Sequence, residues 1–157
     1  MTADLAIGTR VLGYRVDALL GRGGQGTVYQ AEHILLTRKV ALKVLLPELA
    51  ADDGFRRRFT QEARLAASLD HPNILDVYDF GDVDGMLFLA VKFVNGDDLG
   101  TLIHDEGGLA PDRAVRLLSG VADGLDTAHR AGLVHRDVKP GNVLIERRPE
   151  DREHAYL

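Results

Sequence analysis

The 157 residues predict an α+β fold: a five-stranded antiparallel sheet with one prominent helix over residues 10–94, then a mostly helical second part. Three observations carry this expectation. The first half holds short β-type runs broken by glycine turns. Only one stretch in that half, Phe55 to Leu69, has helical apolar spacing. A longer helical pattern from Pro111 then leads into a polar loop set between two apolar runs.

Composition narrows the function classes. The chain is 45% hydrophobic, has a formal net charge of −5, and contains no Cys and no Trp. Disulfides, thiolate zinc sites and a cysteine nucleophile are therefore ruled out. Met1 to Ala6 has neither a basic start nor a long apolar core, so no signal peptide is expected. No window approaches the roughly 18 uninterrupted apolar residues of a membrane span. The acidic balance offers no reason to expect nucleic-acid binding.

Residues 1–12 read as a lead-in with a short strand at Arg10 to Leu12. Tyr14 to Leu20 is a strand that stops at the cluster Gly21-Arg22-Gly23-Gly24-Gln25-Gly26. A glycine pattern of this kind also occurs in dinucleotide-binding folds, where a helix must follow directly. Here Thr27 to Glu32 is rich in strand formers, so the glycines close a hairpin. Its bare backbone could cover phosphates, or it could be a plain glycine-rich turn. Val40 to Leu45 is an alternating strand carrying Lys43, which either points to solvent or turns inward.

In the following helix Phe55, Phe59, Ala66 and Leu69 share one face, and Glu62 falls on it too. A carboxylate directed at the protein body needs a cation, and Lys43 on a facing strand is the candidate. Asp52 or Asp53 can cap this helix, and His71-Pro72 ends it. Arg56-Arg57-Arg58 is read as a solvated face. Asn73 to Asp79 and Met86 to Phe93 form two strands around a turn at residues 81–85, and Asp97 to Ile103 a short helix. Pro111 starts a helix to about Ala131, with Ala114, Leu117, Leu118, Val121, Leu125 and Ala128 on its apolar side and Gly132 beyond its end. His135-Arg136-Asp137-Val138-Lys139-Pro140-Gly141-Asn142 is then a loop between short strands at residues 132–134 and 143–145. It presents a carboxylate, an ammonium and a carboxamide together, which suits phosphoryl transfer. A charged turn, residues 146–152, precedes a last strand from His154.

His135-Arg136-Asp137 followed by Asn142 resembles the catalytic loop of protein kinases. Lys139, two past Asp137, is similar to the serine/threonine branch, and the texture of the chain to eukaryotic-like (Hanks-type) bacterial kinases. The resemblance covers about Gly13 to Leu157. It implies a two-lobe fold with a lead-in (1–12), a complete N-lobe (13–94) and, over 95–157, the hinge end and a partial helical C-lobe. It further implies ATP and Mg²⁺ as cofactors. By this match Leu20, Gly21, Gly23, Gly26, Val28, Ala41, Lys43, Val91, Lys92, Val94 and Leu144 bind the nucleotide, the hinge contacts at Lys92 and Val94 using backbone. Kinases often have Glu where Lys92 stands. Glu62 would position Lys43, Asp137 orient the accepting hydroxyl, Lys139 stabilise the transferring group, and Asn142 bind Mg²⁺. The implied partner is a protein substrate bearing Ser or Thr, and autophosphorylation of a longer parent is compatible with it. A cytoplasmic location follows, with any anchor in a missing segment. No Asp-Phe-Gly occurs in the chain. The family layout places one within about five residues after Leu157, so a truncated domain, itself inactive, is expected. Two rivals share parts of the pattern: a small-molecule phosphotransferase of the aminoglycoside or choline type, and a non-catalytic nucleotide-binding or scaffold module.

Overall fold

The computed structural model describes residues 5–150 and 152–157. Residues 1–4 of the lead-in and Asp151 of the charged turn lie outside the described residues. The chain forms two compact units. The first runs to Ala67 and resumes over Val77–Phe93; the second comprises Ser68–Asp76 and Val94–Leu157. Residues 68–76, within the stretch 13–94, thus pack with the second unit.

In unit 1, β1 (Arg10–Val11), β2 (Tyr14–Gly23), β3 (Gly26–His33) and β4 (Arg38–Leu45) lead to a one-turn helix α1 (Pro47–Ala50) and to α2 (Asp53–Ala67). β5 (Val77–Val83) and β6 (Met86–Lys92) complete a sheet of order β1-β2-β3-β4-β6-β5. Every pairing is antiparallel. The five expected strands are present, and the two-residue β1 adds a sixth. α1 was not expected: Pro47 at its first position sets φ for one turn without needing a donor. Asp52 caps α2 by accepting from the Phe55 N–H.

The β5–β6 turn is tighter than the sequence suggests. Only Asp84 and Gly85 form it, at φ 53° and 79°, the left-handed pair that matches strand twist in a two-residue hairpin. Gly81 is inside β5, where the ring of Phe88 covers it; a Cβ there would meet Phe88 Cε1 at 3.2 Å. Asn73 and Leu75, read as strand, instead bond to the end of unit 2: Leu157 N–H donates to Asn73 O (2.8 Å) and Leu75 N–H to Leu157 O (3.1 Å).

The sheet curls. β2 and β5 are four strand spacings apart, roughly 19 Å if flat. Yet the Tyr14 hydroxyl donates to Asp79 Oδ2 at 3.3 Å. Burial, with Asp79 beside it, pushes the Tyr14 pKa up to about 12. The face inside this curl carries Tyr14, Ala31, Val40, Leu42, Phe88 and Ala90, all buried. On the opposite face Leu45 and Leu87 pack with Ala50, Phe55 and Phe59, so α2 covers that side.

Unit 2 begins with β7 (Gly96–Asp98), α3 (Leu99–Glu106) and α4 (Pro111–Arg130), followed by β8 (Leu144–Arg148) and β9 (Arg152–Tyr156). The three strands form an antiparallel sheet of order β7-β8-β9. β7 was missed because three residues carry no periodicity; Gly96 lies so close to Ile145 that a Cβ would sit 1.9 Å from its carbonyl oxygen. The core joins Leu99, Leu102, Leu117, Val121, Val143, Ile145 and Ala155. Leu118, placed on the apolar side of α4 from the sequence, is 48% exposed; Gly124 is buried instead, against Ile74 and His71.

Candidate functional site

In unit 1 the candidate residues gather around the glycine hairpin. β2 and β3 meet at a two-residue turn, Gly24-Gln25, with Gly23 paired to Gly26. The glycines do different work. Gly21 has nothing within 4 Å of a would-be Cβ, and Gly23 only one atom at 4.0 Å, so no other protein atom fills the space beside them. Gly26 is buried, and its Cβ would fall 2.2 Å from Val44 O. Its side-chain-free surface is required by β4, whatever the hairpin binds. Leu20, at a register shift in β2, is 48% exposed beside this turn.

Directly paired residues on antiparallel strands share a face. Val28, Lys43 and Leu89 therefore form one cross-strand row, and Gln30, Ala41 and Val91 the next. Leu45 and Leu87, under α2, belong to the same face. Lys43 thus points to the side of the sheet that α2 covers, its side chain half-buried. Lys43 Nζ donates to Gln25 Oε1 at 3.0 Å, which ties the amine to the hairpin tip. Gln25 was not singled out from the sequence; a polar residue at a hairpin tip carries no signal of its own.

Glu62 departs from expectation. It is exposed, and Ala63 is the buried residue of α2. At 100° per residue, Glu62 falls at one margin of the stripe set by Phe55, Phe59 and Ala66, and Ala63 at the other. The small apolar side chain takes the interior, and the carboxylate lies at the exposed margin.

Val91 and Lys92 close β6, and Val94, 7% exposed, opens the second stretch of unit 2. Leu144, half-buried, is the first residue of β8, opposite Asp98 and Tyr156.

The loop of unit 2 is anchored by the end of α4 rather than by a strand. Gly132 adopts φ 83°; its N–H donates to His129 O (2.9 Å) and the Leu133 N–H to Ala128 O (2.9 Å). These two bonds are a Schellman cap. The cap consumes the Leu133 donor that a strand would have used, so the strand expected at 132–134 does not form. Val134 is accordingly 54% exposed. At the other end a 3₁₀ turn, Pro140–Asn142, closes onto buried Val143.

Between these anchors the charged groups converge. Asp137 Oδ2 accepts from Lys139 Nζ at 2.8 Å and from Asn142 Nδ2 at 2.9 Å. Asn142 Nδ2 also donates to Asp137 O at 2.7 Å, and the Asp137 N–H reaches His135 Nδ1 at 3.3 Å. Arg136 holds φ 64°, a left-handed turn that a branched side chain would resist. The Lys139 ammonium first, then the Asn142 amide, hold the Asp137 carboxyl below the usual carboxylate range. Asp98 caps α3: its Oδ1 accepts from Thr101 N at 3.0 Å and its Oδ2 from Thr101 Oγ1 at 2.6 Å. Burial opposes ionisation of Asp98, but the Thr101 and Gly100 bonds prevail and lower its pKa.

With both amide hydrogens turned to Asp137, Asn142 Oδ1 is left as an acceptor suited to a hard cation. That fits one position of a magnesium shell. Among the described residues no group of three His, Cys, Asp or Glu could hold a metal by itself.

Comparison with known proteins follows this geometry. The sequence pattern of the protein kinase domain matches residues 14–152. Serine/threonine-protein kinase PknE of Mycobacterium bovis is 44% identical over 144 residues, 92% of this chain and 25% of the relative. PknH of Mycobacterium tuberculosis is 43% identical over 154 residues, covering 98% of this chain and 24% of that protein. The crystal structure of the Mycobacterium tuberculosis PknI kinase domain superimposes with a TM-score of 0.84 at 41% identity, covering 98% of this chain and 62% of that one. The chain thus spans about a quarter of the length of these curated relatives.

Proposed function

The chain belongs to the protein kinase family, in its bacterial serine/threonine branch, and from that premise we propose that its two units supply the parts for transfer of the ATP γ-phosphoryl group to Ser or Thr hydroxyls of proteins. The observation that carries the reading is the convergence of Lys139 and Asn142 on one oxygen of Asp137. A carboxylate so held is a weak base that orients a hydroxyl better than it deprotonates one. Phosphoryl transfer asks for that, because its barrier is lowered mainly by positioning and by charge stabilisation.

Each residue has a part in this proposal. Gly21 and Gly23 present bare N–H groups to the phosphates, and Gly26 lets the hairpin lie flat on β4. Lys43 neutralises the phosphates, with Glu62 as its positioning partner, and Val28, Ala41, Val91, Leu20 and Leu144 contribute apolar contact to the adenine. The backbone of Lys92 and Val94 would bond the base, so the side chain of Lys92 is of no consequence there. Asn142 Oδ1 would ligate Mg²⁺, which when bound supplies charge neutralisation at the phosphate oxygens. Lys139, released from Asp137, would face the transferring group. Protein substrates, autophosphorylation and a cytoplasmic setting belong to the same proposal. No helix among the described residues is long and apolar enough to cross a membrane.

The test is a graft. These 157 residues replace the matching stretch of the crystallised PknI kinase domain, and incorporation of labelled γ-phosphate into a Ser/Thr-bearing basic protein is measured. Transfer that Asp137→Asn abolishes supports the reading. Nucleotide binding without transfer, in a graft that melts cooperatively, would leave the scaffold reading in its place.

A further inference from the structure

Unit 2 has a groove that phosphoryl transfer does not use. Two adjoining cavities, of about 330 and 380 Å³, share Arg113, Arg116, Arg152 and Glu153 and form one continuous depression. Arg147 and Arg148 line one end; Asn73 and His154 line the other, over an apolar floor of Leu117 and Ala155.

Its charge is uneven. Five arginines and two glutamates line the larger cavity. Both acids are already engaged by one arginine: Arg113 donates to Glu153 at 2.7 and 2.6 Å and to Glu106 through two further bonds. Arg148 is held by Glu146 and Tyr156. Arg116 and Arg147 are exposed and make no hydrogen bond or close ion pair among the described residues, although the charge of Arg147 is felt by Glu106 and Glu153. A second observation concerns the hairpin itself. Arg148 and Arg152 stand directly opposite each other across β8 and β9. Like charges in that position cost stability, although each also has a carboxylate beside it, Glu146 at Arg148 and Glu150 at Arg152.

An anionic occupant answers both observations. The chain as a whole carries −5, which repels a long polyanion such as a nucleic acid. A short acidic segment meets the local positive charge. We propose that this groove docks an acidic segment of a protein partner, with its carboxylates on Arg116 and Arg147. Docking needs neither nucleotide nor transfer, so its test is separate from that of the kinase activity.

The experiment measures fluorescence anisotropy of a labelled peptide of alternating Glu and Ser with the 157-residue chain at near-physiological salt. The Glu peptide should bind and its Gln counterpart should not. Arg116→Glu with Arg147→Glu should weaken binding by about tenfold or more, since both reversed charges face the ligand. Arg116→Gln with Arg147→Gln, which only removes charge, should weaken it less. Arg57→Glu with Arg58→Glu, on exposed α2 positions, should change it by less than about twofold. Equal losses from the two reversed pairs would mean attraction by overall charge, and would overturn the proposal. So would absence of Glu-peptide binding, or tighter binding of a single-stranded DNA of equal charge through the same arginines.

Discussion

Lys139 and Asn142 hold the Asp137 carboxyl below the usual carboxylate range, and this is open to measurement. Its folded pKa is depressed, so its favourable interactions are present above the unfolded value and are lost as pH falls through the folded one. In Lys139→Met the largest lowering contribution is gone, and the ¹³C-carboxyl titration of Asp137 should move to higher pH. An unmoved midpoint would mean that Lys139 does not set the charge state of the site. Lys43 offers a second test, in the PknI graft. Lys43→Met should remove nearly all transfer, because the amine that Gln25 ties to the glycine hairpin is gone. Lys39, exposed near the start of β4, is the control, and Lys39→Met should leave turnover within about twofold. The reverse order of effects would show that the wrong lysine has been assigned to the phosphates.

At the scale of elements, hairpin glycines with the same spacing carry separable burdens. Gly26→Ala drives a Cβ into the Val44 carbonyl and must part β3 from β4. It should lower the unfolding free energy by more than about 2 kcal/mol, as overpacking against backbone does. Gly23→Ala meets almost nothing in the protein and should leave stability nearly unchanged, while weakening nucleotide binding if the backbone there faces phosphate. Urea melts of both variants decide this; equal destabilisation would contradict the geometry. Gly132→Ala places a Cβ at φ 83° in the cap that delivers the chain to the loop. A cost of roughly 1–2 kcal/mol is expected. Transfer in the graft should fall as well, because the cap fixes one end of the Asp137 loop.

For the whole molecule, the 157 residues contain Asn142 but no Asp-Phe-Gly, whose aspartate is the family's other magnesium ligand. A purified polypeptide of these residues should therefore transfer phosphate no faster than its Asp137→Asn variant. Transfer above that background would show that one amide oxygen suffices to manage the charge. The chain also crosses between units more often than its lobes suggest. Residues 68–76 leave unit 1 and return, and Asn73 alone bonds Ala155 O through its side chain at 2.8 Å and Leu157 through its backbone.

The sequence by itself determined the family and most of the elements in their order. His135 to Asn142, the glycine cluster and Lys43 are short-range patterns whose chemistry is written in residue type and spacing, and the longer strand and helix periods are local in the same way. Tertiary structure alone decided matters that turn on who lies next to whom. Glu62 and Ala63 flank the apolar stripe of α2 on opposite sides, and only the position of the sheet selects alanine for the interior. Gly26 looks like a phosphate glycine until Val44 is seen against it. Leu133 reads as a strand residue until its donor is found in the helix cap. β7 exists because Gly96 pairs with Glu146 and lets the Ile145 carbonyl lie against it, a pairing of residues 50 apart that no local pattern encodes. The arginine groove likewise draws on α4 and on a hairpin formed later in the chain, and its charges gather only after both have folded.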